Sequence, residues 1–453
     1  MDDTIIALAT VMGEASIHVI RLNGPEATEI IDKYFVPKNH DRWKNKENFT
    51  LHLGIFQDEN NIADEVLIGR MLAPSSYTGE DIYEINCHGG PWLAQKILES
   101  CLNAGARLAQ PGEFSKRAFL NGRMDLIQAE AVVDLISART NKAAQLAFTQ
   151  LRGRLSSKVL SLRTEVLDIL AFIEAGIDFP EDDVEDLDRM ALKNRVMNAL
   201  TAVESLIAGS KTGKILREGL QTVIVGKPNV GKSSLLNALL EEERAIVTDI
   251  PGTTRDEIRE SINLGGILLQ LVDTAGIRDS EDVIEQLGID RTWRALDTAD
   301  LILLVVEAGL PLETAEVGII KDYKGRVIVL ANKIDLLDKV IFPESMYGEV
   351  WIPLSATRHE GFEYMEQEIK NRVFSGNVKS ITEPLLSNVR QISALERAKE
   401  ALVHASKALD QGFPWDILSI DIRKSLQDIS EVTGDNVQED LLETIFSRFC
   451  IGK

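Results

Sequence analysis

Cysteine is scarce. Cys87, Cys101 and Cys450 are the three cysteines in 453 residues, and no two have C-x-x-C spacing. That argues against a disulfide framework or a thiolate zinc site and suits a reducing cytoplasm. Long apolar runs are also missing, since nothing approaches the roughly 18 uninterrupted apolar residues of a membrane span. The start, Met1-Asp2-Asp3-Thr4, lacks the basic region and apolar core of a secretory signal. The expectation is therefore a cytoplasmic chain with no membrane partner. Basic residues are in deficit, with Lys+Arg 49 against Asp+Glu 71 and a net charge of −22. So acidic a chain repels nucleic acid overall, and any RNA contact needs a local basic face. No internal repeat or low-complexity segment is visible. Apolar residues make up 44% of the chain, ample for packed cores. The length suggests about three domains of roughly 100–200 residues.

One stretch organises the rest. Gly226-Lys227-Pro228-Asn229-Val230-Gly231-Lys232-Ser233-Ser234 fits G-x-x-x-x-G-K-[ST]. The β-branched run Thr222–Val225 precedes it as a buried strand, and Leu235–Leu240 follows as the first turns of a helix. Strand, glycine loop and helix N-terminus make an anion site, with backbone N–H groups aimed at phosphates. Lys232 is placed to reach the outer phosphates and Ser233 to take one position on Mg²⁺.

Four further elements follow in the order a GTPase needs. Thr248-Asp249-Ile250-Pro251-Gly252-Thr253-Thr254 is a threonine-rich loop suited to sensing the γ-phosphate, with Thr254 the second Mg²⁺ candidate. Strand Ile267–Val272 ends in Asp273-Thr274-Ala275-Gly276, where the Asp holds Mg²⁺ through water and the Gly frees an N–H. Strand Arg326–Leu330 delivers Asn332-Lys333-Ile334-Asp335. An Asp335 carboxylate accepts from guanine N1–H and the 2-amino group; adenine offers neither donor, and would leave the carboxylate unpaired. Ser355-Ala356-Thr357, after strand Val350–Leu354, braces the base. The expectation is a GTP-binding module.

Around it, residues 1 to about 118 alternate short strands (Thr4–Ala9, Ile17–Leu22, Leu51–Phe56, Ala63–Ala73, Ile82–Cys87) with turns, and Pro91–Asn103 has helical spacing. This reads as a compact α+β domain. His88, beside two glycines, reads first as a turn histidine packed on its own loop and second as functional. From Arg123 long helices follow. Leu155, Val159, Leu162, Val166, Ile169 and Ile173 form a one-face apolar seam, a bundle core. Between Arg139 and Arg163 stand six basic residues and no acidic one, most simply a solvated face, otherwise a surface for RNA or an acidic partner. Phe179-Pro180 breaks the helix before an exposed acidic turn at Glu181–Asp186. Ala208–Lys214 reads as a flexible linker. Helical spacing resumes after Phe374–Asn377, at Ile392–Leu402, Ile417–Ile429 and Val437–Phe446, so the GTPase module is an insertion into a helical domain. Cys450, three residues from the end, is a small buried hydrophobe, a nucleophile or part of a ligand-binding tail.

With those elements in place, the chain resembles the MnmE (TrmE) family of tRNA modification GTPases over essentially its full length. The resemblance rests on Tyr77-Thr78-Gly79-Glu80-Asp81, His88-Gly89-Gly90, Pro111-Gly112-Glu113-Phe114-Ser115, Arg117-Ala118-Phe119-Leu120-Asn121-Gly122, Asp125-Leu126, Gln128-Ala129-Glu130-Ala131 and the ending Phe449-Cys450-Ile451-Gly452-Lys453. Val11-Met12-Gly13-Glu14-Ala15 departs from it, standing where the family carries a Gly-Arg-Gly type turn. The resemblance implies multidomain α+β and α/β architecture: an N-terminal folate-binding and dimerisation domain (1–119), a helical domain (120–215 and 378–453) and an inserted Ras-like GTPase domain (216–377). It implies a homodimer that works with the FAD-dependent protein MnmG, in a heterotetramer-type complex, on tRNA. There the two install an aminomethyl-type group at carbon 5 of the wobble uridine from a formyl-tetrahydrofolate. By motif match the folate contacts are Arg21, Glu80, Arg123 and Lys453. The alternative reading is an Era-like switch for RNA binding or ribosome assembly, which requires a basic RNA-binding domain that does not appear after Asp335; a pure scaffold is a third. A Ras-like water-orienting Gln is absent, its place being held by Ile277. The resemblance gives that task to Glu285. It puts K⁺ among Asn229 and backbone oxygens around Thr248, Ile250 and Thr253.

Overall fold

Strand alternation builds the N-terminal sheet. Thr50–Gln57 turns positions 52, 54 and 56 inward and Leu51, Leu53 and Ile55 outward, one side chain per face in turn. The computed structural model describes residues 3–45, 47–58, 63–178, 189–242, 260–272, 293–337, 345–374, 384–435, 437 and 439–452. The first elements are β1 (Ile5–Leu8), β2 (Ile17–Asn23), α1 (Ala27–Tyr34), β3 (Phe35–Pro37), α2 (His40–Lys44), β4 (Thr50–Gln57), β5 (Ala63–Met71), β6 (Ile82–His88), α3 (Pro91–Asn103), β7 (Arg107–Leu108) and α4 (Glu113–Leu120). Their strands form one sheet in the order β3-β4-β5-β6-β2-β1-β7. The β2–β6 register pairs Arg21 with Glu84 and Ile20 with Ile85. Side chains from α1 and α3 (Ile30, Ile31, Ala94, Ile97) close over Ile20, Leu22, Ile68 and Ile85, which are shut off from water. The opposite face keeps Ile17, Val36, Leu51, Leu53 and Ile55 exposed.

Four helices follow: α5 (Leu126–Ser137), α6 (Asn141–Leu151), α7 (Arg154–Asp178) and α8 (Arg189–Ala208). All six residues of the expected α7 seam are buried. The expected linker is instead helix α9 (Ser210–Glu218). Its Ile215 and Leu216 are buried, and Thr212 Oγ1 donates to Val373 O at 3.0 Å. Apolar burial overrode the Gly/Ser/Lys composition that signalled flexibility. The acidic turn at 181–186 and its helix breaker lie outside the described residues.

The second sheet is assembled from β8 (Leu220–Val225), β9 (Glu260–Leu264), β10 (Ile267–Leu271), β11 (Leu301–Glu307), β12 (Val327–Asn332), β13 (Ser345–Met346) and β14 (Glu349–Pro353), in the order β13-β14-β12-β11-β8-β10-β9. Its five central strands are parallel. Ile224 packs with Leu269 and Leu303 on one face, Val223 and Val225 with Ile302 and Val329 on the other. Burial on both faces is why these strands read as unbroken apolar runs. The helices α10 (Lys232–Glu242), α11 (Thr314–Asp322) and α12 (Phe362–Phe374) accompany the sheet. The chain ends in α13 (Val389–Asp410), α14 (Trp415–Thr433), which packs on α7, and α15 (Glu439–Phe446).

Close contacts divide the chain into two compact units. One comprises Met1–Val133, Gln150–Ala199 and Arg397–Lys453; the other comprises Asp134–Thr149 and Leu200–Glu396. The second thus includes α6 as far as Thr149 with the parallel sheet: Arg139 Nη1 donates to Ser261 Oγ at 3.2 Å, and Lys142 Nζ stands 4.1 Å from the centre of the Phe374 ring. In the first unit, Arg163 pairs with Asp435 at 3.1 Å. Within the basic stretch 139–163, Arg139, Lys142 and Arg163 thus each contact a residue of their own unit.

Candidate functional site

The buried strand β8 fixes where its C-terminal loop begins. Asn229 adopts the left-handed conformation at φ 65°, which asparagine tolerates better than most residues. At Gly231 no side chain fits, because a Cβ would lie 2.2 Å from Asn332 Nδ2. Helix α10 starts at the next residue, and the Leu235 N–H closes its first turn on Gly231 O at 2.9 Å. The loop therefore sits at a helix N-terminus whose leading N–H groups have no intrahelical acceptor. Lys232 arches back over the loop, its Nζ donating to Gly226 O at 2.8 Å and Lys227 O at 2.6 Å. Burial holds this ammonium below the ordinary lysine value, so a phosphate anion beside it restores a charge that burial disfavours. Val230 is buried under the loop, and Ser233 and Ser234 occupy the first turn of α10.

Strand β12 ends at Asn332, whose amide ties three segments together. Nδ2 donates to Val230 O at 2.8 Å, and Oδ1 accepts the Ala356 N–H at 3.1 Å. Lys333 follows in a left-handed conformation and pairs with Glu307 at 2.7 Å. Ser355, fully buried, donates its hydroxyl to Asp335 Oδ1 at 2.7 Å and lies 3.2 Å from Thr357 Oγ1. That bond fixes one oxygen of the Asp335 carboxylate. Two glutamates missed by sequence reading also act here. Lys227 is anchored to Glu313 at 3.0 Å and Glu316 at 3.3 Å, at the N-terminus of α11, and the hydrogen bond to Glu313 raises its pKa. The remaining expected nucleotide and metal residues lie outside the described residues: Thr248, Asp249, Ile250, Pro251, Gly252, Thr253, Thr254, Asp273, Thr274, Ala275, Gly276 and Glu285.

A second cluster lies in the N-terminal sheet. Arg21 Nε donates to Glu84 Oε1 at 2.8 Å, and its Nη1 donates to Gly452 O at 3.0 Å. The C-terminal tail is thus docked on this sheet. Phe446 and Phe449 are buried with Leu126 and Ala129, and the Gly112 N–H donates to Cys450 O at 3.4 Å. Cys450 itself is exposed, which removes the buried-hydrophobe reading. Glu80 receives hydrogen bonds from Arg117, Asn23 and Asn121. Arg123 is exposed next to it, its Cγ 3.3 Å from where a Gly79 Cβ would stand. Lys453 lies outside the described residues. His88, at the end of β6, is held by Asp64 of β5 at 2.6 Å rather than by its own loop. In the departing loop, the buried His18 ring bonds Gly13 O and Thr10 Oγ1, each at 2.9 Å, while Val11 and Met12 stay exposed. Among the described residues, no helix is long and apolar enough to cross a membrane.

A glycine loop at a helix N-terminus after one parallel strand, locked by Asn332 to an Asn-Lys-x-Asp segment after a second strand of the same sheet, defines the class: a P-loop GTPase. Comparison with known proteins narrows the class. Residues 126–450 match the family profile "MnmE helical domain" and residues 4–123 match "GTP-binding protein TrmE N-terminus". A tRNA modification GTPase MnmE of Desulfitobacterium hafniense is 61% identical over 100% of both chains, and that of Bacillus subtilis is 44% identical, also over 100% of both. The FeoB G-domain from Methanococcus jannaschii, a solved structure, is 22% identical, covers 34% of this chain and 97% of its own, and gives a TM-score of 0.25. The chain belongs to the MnmE family of tRNA modification GTPases.

Proposed function

We propose that this GTPase acts on tRNA as a homodimer in the cytoplasm. With an FAD-dependent MnmG partner it installs an aminomethyl or carboxymethylaminomethyl group at carbon 5 of the wobble uridine, the carbon coming from a formyl-tetrahydrofolate. One observation carries the folate part: Arg21 holds the docked C-terminal tail through Gly452 O, on the sheet that also supports Glu80. Arg21, Arg123 and Lys453 suit the folate's glutamate carboxylates; the Glu80 carboxylate suits the donor edge of its pteridine. Along β2, Ile17, Val19 and Arg21 alternate with the core residues His18, Ile20 and Leu22. The folate cluster therefore shares a sheet face with the exposed Ile17, Leu51, Leu53 and Ile55. A second copy of the chain covering that face accounts for its apolar character.

At the nucleotide loop, Ser233 with Thr254, and Asp273 through water, would hold Mg²⁺. Asn229, with backbone oxygens around Thr248, Ile250 and Thr253, would hold K⁺, which supplies positive charge opposite the phosphates in the absence of an arginine finger. The left-handed Asn229 places a side-chain amide within the phosphate loop. Glu285 would orient the attacking water, since Ile277 carries no polar atom. We assign the segments 1–119, 120–215 with 378–453, and 216–377 to folate, helical and GTPase domains.

Nucleoside analysis of tRNA from a strain lacking this chain tests the modification; wobble uridines modified as in the parent would refute it. GTPase rates in K⁺ and Na⁺ at equal ionic strength, for wild type, Asn229→Ala and Glu285→Ala, test the catalytic assignment. Equal rates in the two salts remove the K⁺ site. A Glu285→Ala enzyme turning over at the wild-type rate removes the water-orienting role.

A further inference from the structure

The folate reading assigns a role to Glu80 but says nothing about what aims it. Glu80 sits at the end of a turn, with its side chain only 19% exposed. Its Oε2 accepts two donors that are themselves entirely buried: Arg117 Nη1 at 3.1 Å and the Asn23 side-chain amide. Among the described residues the other oxygen, Oε1, receives a single long bond, 3.4 Å from Asn121 Nδ2, and that amide is already committed to Thr78 O at 2.8 Å. One carboxylate oxygen is therefore clamped from inside the domain, and the other is left with its lone pairs largely unspent.

The clamp is not explained by what its members need for themselves. Arg117 has other counter-charges: its Nη2 pairs with Asp3 at 2.7 Å and Glu113 at 3.2 Å, and its Nη1 donates to Asp3 O at 2.9 Å. A buried guanidinium with two carboxylates and a carbonyl does not require a third carboxylate to be tolerated. Asn23 gains still less. Its Oδ1 is buried without a hydrogen-bond partner among the described residues, an arrangement that costs stability. Reversing the amide would face Oδ1 against the Glu80 carboxylate, so the orientation is set by Glu80. Asn23 also stands two residues from Arg21 on β2, hence on the same sheet face as a second folate contact.

We propose that Asn23 and Arg117 are positioning residues: they hold Glu80 Oε2 so that Oε1 is presented, already oriented, to the donor edge of a reduced folate's pteridine. This rests on the folate reading of the N-terminal domain. Fixing the carboxylate beforehand spares the ligand the entropy of ordering it, and buried supporting partners of this kind typically govern about 10–100-fold in affinity.

The test is calorimetry of the full-length chain with 5-formyl-tetrahydrofolate, for wild type, Asn23→Ala, Arg117→Lys, Glu80→Gln and the double variant Asn23→Ala/Glu80→Gln, each checked by thermal unfolding. Asn23→Ala and Arg117→Lys are expected to weaken binding about 10-fold or more. Because Asn23 acts through Glu80, the double variant binds no worse than Glu80→Gln alone; a purely structural loss would add to it. If Asn23→Ala does not fold, Asn23→Ser, whose shorter hydroxyl cannot span the same gap, takes its place. Wild-type affinity in the Asn23 variant, or additive losses in the double variant, overturns the positioning role while leaving the folate site standing. A wild-type chain that does not bind the folate, or a Glu80→Gln chain that binds it as wild type does, overturns the site reading and this inference together.

Discussion

The Asn332 side chain donates to Val230 O at 2.8 Å across 102 residues of sequence, so the Asn-Lys-x-Asp segment physically carries the glycine loop. The same amide receives Ala356 N–H. Asn332→Ala therefore loosens all three segments at once and leaves buried backbone groups unpaired, at a cost of about 1–3 kcal/mol. GTP and GDP are expected to weaken together, by roughly 5- to 150-fold on that cost. Equilibrium titration with both nucleotides checks it, and a loss confined to GTP would contradict it.

Asp335 accepts the Ser355 hydroxyl with one oxygen at 2.7 Å, and a carboxylate so fixed suits a base bearing two donors. Asp335→Asn replaces an acceptor with a donor. GTP affinity should fall by about 100-fold or more, and xanthosine triphosphate, whose 2-oxo group accepts, should become the preferred ligand. Competition between the two nucleotides on the variant decides the matter; a retained preference for GTP would remove Asp335 as the base reader.

The ion cluster under β1 sets an acid limit on the N-terminal domain. Burial pushes Asp3 and Glu113 up, but hydrogen bonds and charge from Arg107 and Arg117 outweigh it and hold both carboxyls below their ordinary values. A depressed folded pKa contributes stability that is present above the unfolded value, about 4, and is lost as pH falls through the folded one. Glu113→Gln should therefore destabilise the domain by about 1–3 kcal/mol at pH 7, with the gap to wild type closing as the pH drops below about 4. Thermal unfolding at pH 7 and pH 3 measures both limbs. A gap that stays constant with pH would show that the pairing contributes nothing.

Tail docking depends on Gly112. Its φ is 68°, and a Cβ there would lie 2.5 Å from Phe446 O. Gly112→Ala meets both a left-handed backbone and a clash, worth about 1–3 kcal/mol. The tail should be released, seen as faster trypsin cleavage after Arg448 in the variant than in wild type. Unchanged cleavage would mean the tail is held without this contact.

Much of the chain was legible because its signals are local. The strand ahead of the phosphate loop, the loop itself and the helix after it are contiguous, and each follows from β-branching, glycine placement and helical spacing over a few residues. The helical spacing of Pro91–Asn103 is matched by helix α3 over the same residues. Elements whose identity rests on burial were misread or missed. The 208–214 stretch has a linker's composition but folds as the end of α8, a cap at Gly209 and the start of α9, where Ile215 and Leu216 find an apolar surface. Helix α1 is short and flanked by strands, and only burial of Ala27, Ile30, Ile31 and Tyr34 along one face distinguishes it.

By itself, then, the sequence determined which residue types stand in the phosphate loop and in the Asn332–Asp335 segment, since both are motifs of short, fixed spacing. Tertiary structure alone decided which distant groups meet in the N-terminal cluster. Arg21 meets Gly452 across 431 residues, and Asn23 and Arg117 converge on Glu80 from a strand and a helix. No local pattern encodes such meetings. They arise when apolar faces close over a common core and bring along the polar groups those elements carry, and a buried donor must then pair with whichever acceptor the packing has placed beside it.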